Sequence, residues 1–393
     1  MPDSARWSRP ECGLTCGDVG WSQPIGTSRN RAECPSRWRV HERANPTYVI
    51  LPSKVASAKQ RAIEGGERLK AIVQDRYGES AEVLQLQEIA TPEPGPGEVL
   101  IEVRAASLFV GDWHIMAGLP YAIRPSFGLR RPKTRVRGQD VAGTVVTVGP
   151  GSRSQPGDDV YGTCDGSFAQ FVAASDSKIA VKPASLTFEQ AATVPIAGTT
   201  ALQAVRDAGK VRAGQTVLIV GAGGGVGSFA VQIANALGAR VTGVCSTTQI
   251  ELVRSLGVDA IVDYTKDDFT HLDKRYDVIV VFGGGDSVSR LRQALTPEGT
   301  LVVGGGEGGG KWLGRGGRLI YAPLLSPFVS QRLVGFGVKH NGNDLSALRE
   351  LIEAGKVTPI VGRTYPLTGV PDAMRDLQAG SSGGGKTVIA VRE

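Results

Sequence analysis

The chain has 393 residues, too many for one ordinary hydrophobic core, so two folded domains are the first expectation. The net charge of +6 is uneven: residues 1–68 hold eleven Lys or Arg against seven Asp or Glu, and the rest carries only +2. The body therefore lacks the basic stripe of a nucleic-acid binder. No apolar run reaches the length of a membrane helix and no secretory h-region opens the chain, so a cytoplasmic protein with no transmembrane segment is expected.

Residues 1–68 mix Pro, Ser, Arg and scattered Trp with no sustained period of 2 or 3.6. They read as an N-terminal extension that is disordered, or as translation from a mis-annotated start upstream of Leu69. Cys12, Cys16, Cys34 and His41 lack the paired spacing of a zinc knuckle. Cys164 and Cys245, far apart in the body, fit a reducing compartment.

From Leu69 the pattern becomes regular. Residues 69–74, 84–89 and 98–105 read as strands, with a Pro-Gly turn at 91–97. Residues 136–148 read as a strand pair turning through Gly143, and 157–162 and 168–173 continue the series. Short strands joined by Gly and Pro turns predict a β-rich domain, a partly open barrel, over 69–193. Helical patterns follow at 189–192 and 199–208.

Val217-Leu-Ile-Val220 then runs into Gly221-Ala-Gly-Gly-Gly-Val-Gly227, followed by Phe229, Ala230, Ile233, Ala234 and Leu237 at helical spacing. A buried strand, a glycine turn and an amphipathic helix form the opening unit of a dinucleotide-binding fold. The glycines allow a tight turn and close backbone approach, and the helix N-terminus attracts a pyrophosphate. Gly224, Gly225, Val226 and Gly227 are the candidate cofactor-binding residues. Strands at 240–244, 260–262, 277–281 and 300–303 alternate with helices and predict a parallel sheet over 194–338. A helix at 344–354 and strands near Tyr365 and at 387–391 are placed to return, over 339–393, to the first domain.

An NAD site usually carries Asp or Glu about twenty residues past the glycine loop to bind the ribose hydroxyl. Here the second strand ends Cys245-Ser246-Thr247-Thr248, with no carboxylate before Glu251. Ser246 and Thr247 can donate to a 2′-phosphate, so NADPH is favoured over NADH. Arg254 is either a helper or a solvated helix residue.

Several stretches carry a family resemblance: Pro94-Gly-Pro-Gly-Glu-Val-Leu100, Asp112-Trp-His114, Gly138-Gln-Asp-Val-Ala-Gly-Thr144, Pro156-Gly-Asp-Asp-Val160, Pro195-Ile-Ala-Gly-Thr-Thr-Ala-Leu202, the glycine loop, and Glu251-Leu-Val-Arg-Ser-Leu-Gly-Val-Asp259. With these, residues 69–393 resemble the medium-chain dehydrogenase/reductase superfamily, and within it the zinc-independent NADPH quinone oxidoreductase-like branch. The resemblance implies an α/β fold, a Rossmann doubly wound parallel sheet plus a GroES-like β-rich catalytic domain. Zinc-dependent relatives have Cys and His where this chain has Phe109 and Gln139, so no metal is expected. Thr199 and Tyr264 resemble family cofactor positions; Tyr264 equally reads as a half-buried aromatic capping a strand.

The implied activity is hydride transfer from NADPH to a quinone or α,β-unsaturated carbonyl, a small-molecule substrate. An alcohol dehydrogenase and a catalytically idle NADPH-binding module are the rivals. Phe109, Asp112, His114 and Tyr121 are the catalytic candidates. His114 is either a proton donor or a histidine bonded to nearby backbone, and Asp112 either acts chemically or starts a helix. Phe109 stands where many relatives have Asn, which implies an apolar wall. Phe282-Gly283-Gly284-Gly285 and Gly304–Gly310 are expected to admit the nicotinamide, a looser loop being the competing reading, and Leu319–Phe328 to form a pocket wall rather than a contact with a membrane or a second subunit. A homodimer is expected by analogy.

Overall fold

The computed structural model describes residues 68–393 apart from Ser80, 271–273, 305–309, Leu313, Ser382 and Glu393. The expected extension up to residue 67, with its cysteines and His41, lies outside the described residues, as do His271 and most of the 304–310 glycine run.

β1 (Arg68–Val73) and β2 (Gln85–Ala90) pair antiparallel, with Leu69, Ala71, Ile72 and Val73 buried. β3 (Glu98–Leu108) is followed by helix α1 (Val110–Ala117), then β4 (Asp140–Val148), β5 (Asp159–Thr163), β6 (Phe171–Ser175) and β7 (Ile179–Val181). The expected turn at Gly143 is absent: 140–148 is one strand. Gly143 faces β3, and a Cβ there would lie 2.1 Å from the Glu102 carbonyl. The glycine serves close strand approach beside a register shift between Val103 and Ala105.

Helix α2 (Pro195–Leu202) starts at Pro195 rather than Thr199, because proline's missing N–H costs nothing in a helix's first turn. It continues as a π-helical segment over Gln203–Ala208. The second sheet follows: β8 (Thr216–Val220), helix α3 (Gly225–Ala236), β9 (Arg240–Cys245), β10 (Ala260–Asp263), β11 (Tyr276–Val281), β12 (Leu295–Val303), helix α4 (Gly317–Leu325) and β13 (Arg332–Gly335). These six strands are parallel in the order β10-β9-β8-β11-β12-β13. This is the doubly wound order, with its reversal between β8 and β11, where a crevice opens at the strands' carboxyl ends. β13 was not anticipated from sequence; four residues carry too little pattern.

After helix α5 (Gly342–Glu353), the chain returns through β14 (Val361–Pro366) and β15 (Lys386–Ala390). β15 joins β3 antiparallel and completes a seven-stranded sheet, β14-β15-β3-β4-β5-β7 with β6 also on β3. The return expected for residues 387–391 is thus observed. One buried core runs through both halves, from Tyr161 and Ala142 through the alanines of α2 to Phe229 and Ile233 of α3. The Tyr161 hydroxyl donates to the Leu345 carbonyl at 2.6 Å, tying β5 to α5.

Leu319–Phe328, the expected pocket wall, lies largely in α4. Ile320, Tyr321, Leu324 and Phe328 are 57%, 50%, 65% and 84% exposed, while Ala322 is buried with Leu319 and Leu325 packed toward the sheet core. α4 is apolar on both sides, and Ile320, Tyr321 and Leu324 stay exposed opposite the side that packs on the sheet.

Candidate active site

The glycine loop is built by sterics. Gly221 has φ +88°, a conformation that side chains rarely adopt. At Gly227 a Cβ would stand 2.0 Å from the Gly221 carbonyl oxygen, so only glycine lets α3 pack this close to the end of β8. Gly224 precedes α3 in extended conformation. The first-turn N–H groups of Gly225, Val226 and Gly227 have no partner within their own helix. They form a positive backbone cradle that fits a pyrophosphate. Phe282-Gly283 closes the crevice at the end of β11: Phe282 N–H donates to the Val220 carbonyl at 3.1 Å, and a Cβ on Gly221 would meet Gly283 N at 3.2 Å.

The end of β9 differs from the sequence reading. Cys245 pairs in register with Asp263 of β10, which brings a carboxylate beside Thr247. The Thr247 hydroxyl donates to Asp263 and lies 2.9 Å from the Thr265 hydroxyl. These hydroxyl bonds hold the Asp263 carboxyl below its ordinary range. Ser246 Oγ lies 3.0 Å from Thr248 Oγ1. Lys266 Nζ is 3.7 Å from Asp263, largely exposed. Arg254 instead pairs with Glu251 on its own helix. Tyr264 is 61% exposed, which excludes the half-buried capping role. Thr199 is buried and donates its hydroxyl to the Pro195 carbonyl of α2, with His340 Nδ1 3.5 Å away.

α1 positions the first-domain candidates. Phe109 precedes the helix in extended conformation and its N–H donates to Asp112 Oδ2 at 3.0 Å. The Phe109 ring folds over Gly111, where a Cβ would strike it at 2.1 Å. Asp112 is buried, and burial pushes its carboxyl up to about 7, against the lowering effect of the Phe109 N–H and the Lys386 charge. His114 Nδ1 lies 2.9 Å from the Leu119 carbonyl, the backbone-bonded alternative, and its ring is edge-on to Trp113 at 5.0 Å. Tyr121 is not among the cavity-lining residues. It meets Trp312 edge-on at 5.5 Å, and its N–H donates to the Lys311 carbonyl at 2.8 Å.

A cavity of about 170 Å³ lies beside α1, lined by Asp112, Ile115, Arg137, Gly138 and Gln139 among others. Zinc does not fit this donor set. Phe109 offers no lone pair, and Gln139 offers only a neutral amide. Burial with Asp165 and Asp140 nearby pushes the Cys164 thiol up, away from the thiolate a metal needs. No group of three or more His, Cys, Asp or Glu able to hold a metal occurs among the described residues.

Two residues missed by the sequence reading link the halves of the site. Lys386 Nζ donates to Asp140 Oδ2 at 2.7 Å and lies 5.4 Å from the Phe109 ring centroid. The other Asp140 bonds come from Ser107 Oγ at 2.7 Å and Ile196 N–H at 2.8 Å. The Lys386 stem fills the space in front of Gly225, and Gly385 N–H donates to the Gly223 carbonyl at 3.3 Å. The only sequence signal was position: Asp140 inside the Gly138–Thr144 motif, and Lys386 opening the last strand.

A doubly wound sheet whose glycine turn is locked to a β-rich domain defines a dinucleotide-dependent oxidoreductase. Residues 95–184 match an alcohol dehydrogenase GroES-like domain, and residues 256–389 match a zinc-binding dehydrogenase domain. The chain is 33% identical over 364 residues to the 2-methylene-furan-3-one reductase of Solanum lycopersicum, covering 87% of this chain and 86% of that protein. It is 33% identical to the chloroplastic NADPH-dependent alkenal/one oxidoreductase of Arabidopsis thaliana, covering 82% of this chain and 80% of that one. The quinone oxidoreductase structure from Coxiella burnetii superposes with TM-score 0.70 at 28% identity, covering 83% of this chain and 100% of that chain. The chain belongs to the medium-chain dehydrogenase/reductase superfamily, on the side of its quinone and enone oxidoreductases.

Proposed function

We propose that the protein is an NADPH-dependent reductase of quinones or α,β-unsaturated carbonyls that works without zinc. The observation that carries this reading is the placement of Lys386. Its neighbour Gly385 bonds to the glycine loop, while its ammonium meets Asp140 and overlies Phe109, so the cofactor cradle and the α1 site share one wall.

NADPH, when bound, supplies the hydride. The residues of this chain bind and orient it. The N–H groups of Gly225, Val226 and Gly227 receive the pyrophosphate. Ser246, Thr247, Lys266 and exposed Tyr264 frame the adenosine end; Thr247 is engaged with the Asp263 carboxylate, so Ser246 and the Lys266 ammonium are the groups that would hold a 2′-phosphate. Thr199 shapes the α2 wall. Phe109 gives an apolar surface to a conjugated acceptor, which delocalises incoming charge and needs no metal. Asp112 is the proton donor: Oδ2 is held by the Phe109 N–H, which leaves Oδ1 to carry the proton, and its carboxyl is poised near 7. His114 and Tyr121 hold the segment that follows α1, His114 through the Leu119 carbonyl and Tyr121 through that of Lys311.

The sheet edge at β13, beside the exposed face of α4, supports a homodimer; a monomer mass by light scattering would count against it. No helix among the described residues is long and apolar enough to cross a membrane. Cys164 and Cys245, both free and buried, support a reducing compartment such as the cytoplasm, which fractionation tests.

The test of function is a substrate panel. NADPH oxidation with 2-alkenals, enones and 1,4-quinones is compared with NADP⁺ reduction by primary and secondary alcohols. Turnover of conjugated acceptors alone is expected. Alcohol oxidation at comparable rates would favour a dehydrogenase, and NADPH binding with no turnover an idle module.

A further inference from the structure

We propose that the cavity beside Asp112 is an anion subsite, in which the Arg137 guanidinium binds a carboxylate carried by the acceptor; this rests on the reductase reading and narrows its substrate class. Arg137 is 6% exposed and lines that cavity. Its backbone is pinned on both sides, with its N–H donating to the Ile72 carbonyl at 3.0 Å and its carbonyl accepting from Phe168 N–H at 2.9 Å. The guanidinium has five donors in a rigid fork, and among the described residues what meets it is one neutral carbonyl, that of Thr134. Its Nε is buried with no hydrogen-bond partner among the described residues. A buried cation served this poorly is costly unless an anion completes it.

The charges around Arg137 do not supply that anion. Its electrostatic neighbours are Asp112, Tyr77 and Asp165. Asp112 is turned to the Phe109 N–H, and burial holds its carboxyl partly protonated at neutral pH. The Tyr77 hydroxyl donates to the Gly128 carbonyl at 2.6 Å. Asp165 stands exposed at the rim, and Lys133, also exposed, lines the same cavity. The floor of the cavity is therefore cationic, and its volume of about 170 Å³ suits a carboxylate group rather than a whole acceptor. Guanidinium and carboxylate match as two parallel bonds.

The test uses two enones that differ at one end: 3-penten-2-one and 4-oxo-2-pentenoate, in which a carboxylate replaces the terminal methyl. With NADPH, the ratio of kcat/KM for the acidic over the neutral acceptor is expected to fall about tenfold or more in Arg137→Met relative to the unaltered protein, through KM, with Arg137→Lys recovering part of it. A ratio unchanged within about twofold overturns the subsite. Should Arg137→Met fail to fold, acetate inhibition of the unaltered protein decides. Competition against 4-oxo-2-pentenoate but not against 3-penten-2-one supports the subsite, and equal effect on both, or none, overturns it. If neither enone is turned over, the reductase reading fails separately. Calorimetric titration of 4-oxo-2-pentenoate into the NADPH-loaded protein and Arg137→Lys then judges the subsite: tighter binding by arginine supports it, and equal or no binding overturns it.

Discussion

The Lys386 ammonium lies 2.7 Å from the Asp140 carboxylate, the two side chains 4% and 0% exposed. The last strand of the chain thereby reaches into the Gly138–Thr144 motif and, through Gly385, into the glycine loop. Removing one partner of such a pair strands the other charge away from water. Lys386→Met is expected to destabilise the protein by about 3 kcal/mol or more, read by urea unfolding. Adding Asp140→Asn should restore part of that, because the orphaned charge is gone. A single-variant loss below about 1 kcal/mol would show that the pair is structurally idle.

Asp112 gives the protein a pH signature. Its carboxyl is raised from 3.8 to about 7 in the fold, mainly by burial. The folded state therefore holds this proton over pH 4 to 7 while the unfolded chain has released it. The contribution is complete below about pH 4 and is lost as pH rises through about 7, by up to roughly 4 kcal/mol. Asp112→Asn keeps an acceptor for the Phe109 N–H, yet should flatten this slope in denaturation measured from pH 4 to 8. The same variant should lower kcat for an enone about a hundredfold, as loss of a proton donor does.

Gly227 tests the cradle. A methyl group there would stand 2.0 Å from the Gly221 carbonyl oxygen and push α3 off the end of β8. Gly227→Ala is expected to cost about 1–3 kcal/mol of stability and at least about tenfold in NADPH affinity by fluorescence titration. Unchanged affinity would mean that the pyrophosphate lies elsewhere.

Ser246 tests cofactor choice. Ser246→Asp places a carboxylate where a 2′-phosphate is expected and supplies an acceptor for a ribose hydroxyl. The NADPH-to-NADH ratio of kcat/KM should fall more than about tenfold. A ratio that stays put would remove this strand end from the adenosine site.

The glycine turn was legible because its signal is local: a strand, a turn only glycine can make, and a helix in one continuous stretch. The return of the chain to the first sheet was legible from the late strand pattern at 387–391. What could not be read were juxtapositions made by the sheet itself. Asp263 sits beside Thr247 because β9 and β10 pair in register, and Asp140 meets Lys386 across 246 residues of sequence. What the outward face of α4 meets was not legible either, because periodicity shows that a helix has an apolar face but not what lies opposite it. Gly143 was read as a turn because a glycine inside a strand gives the same local signal whether the chain reverses or a neighbour presses close.

The measurement that bears most directly on the account is the rate of NADPH oxidation at 340 nm with a simple enone, using protein dialysed against a chelator and assayed for zinc. Sustained turnover by zinc-free protein, with NADH a poorer donor, is the predicted result. Activity that disappears with the metal and returns on adding zinc would contradict it.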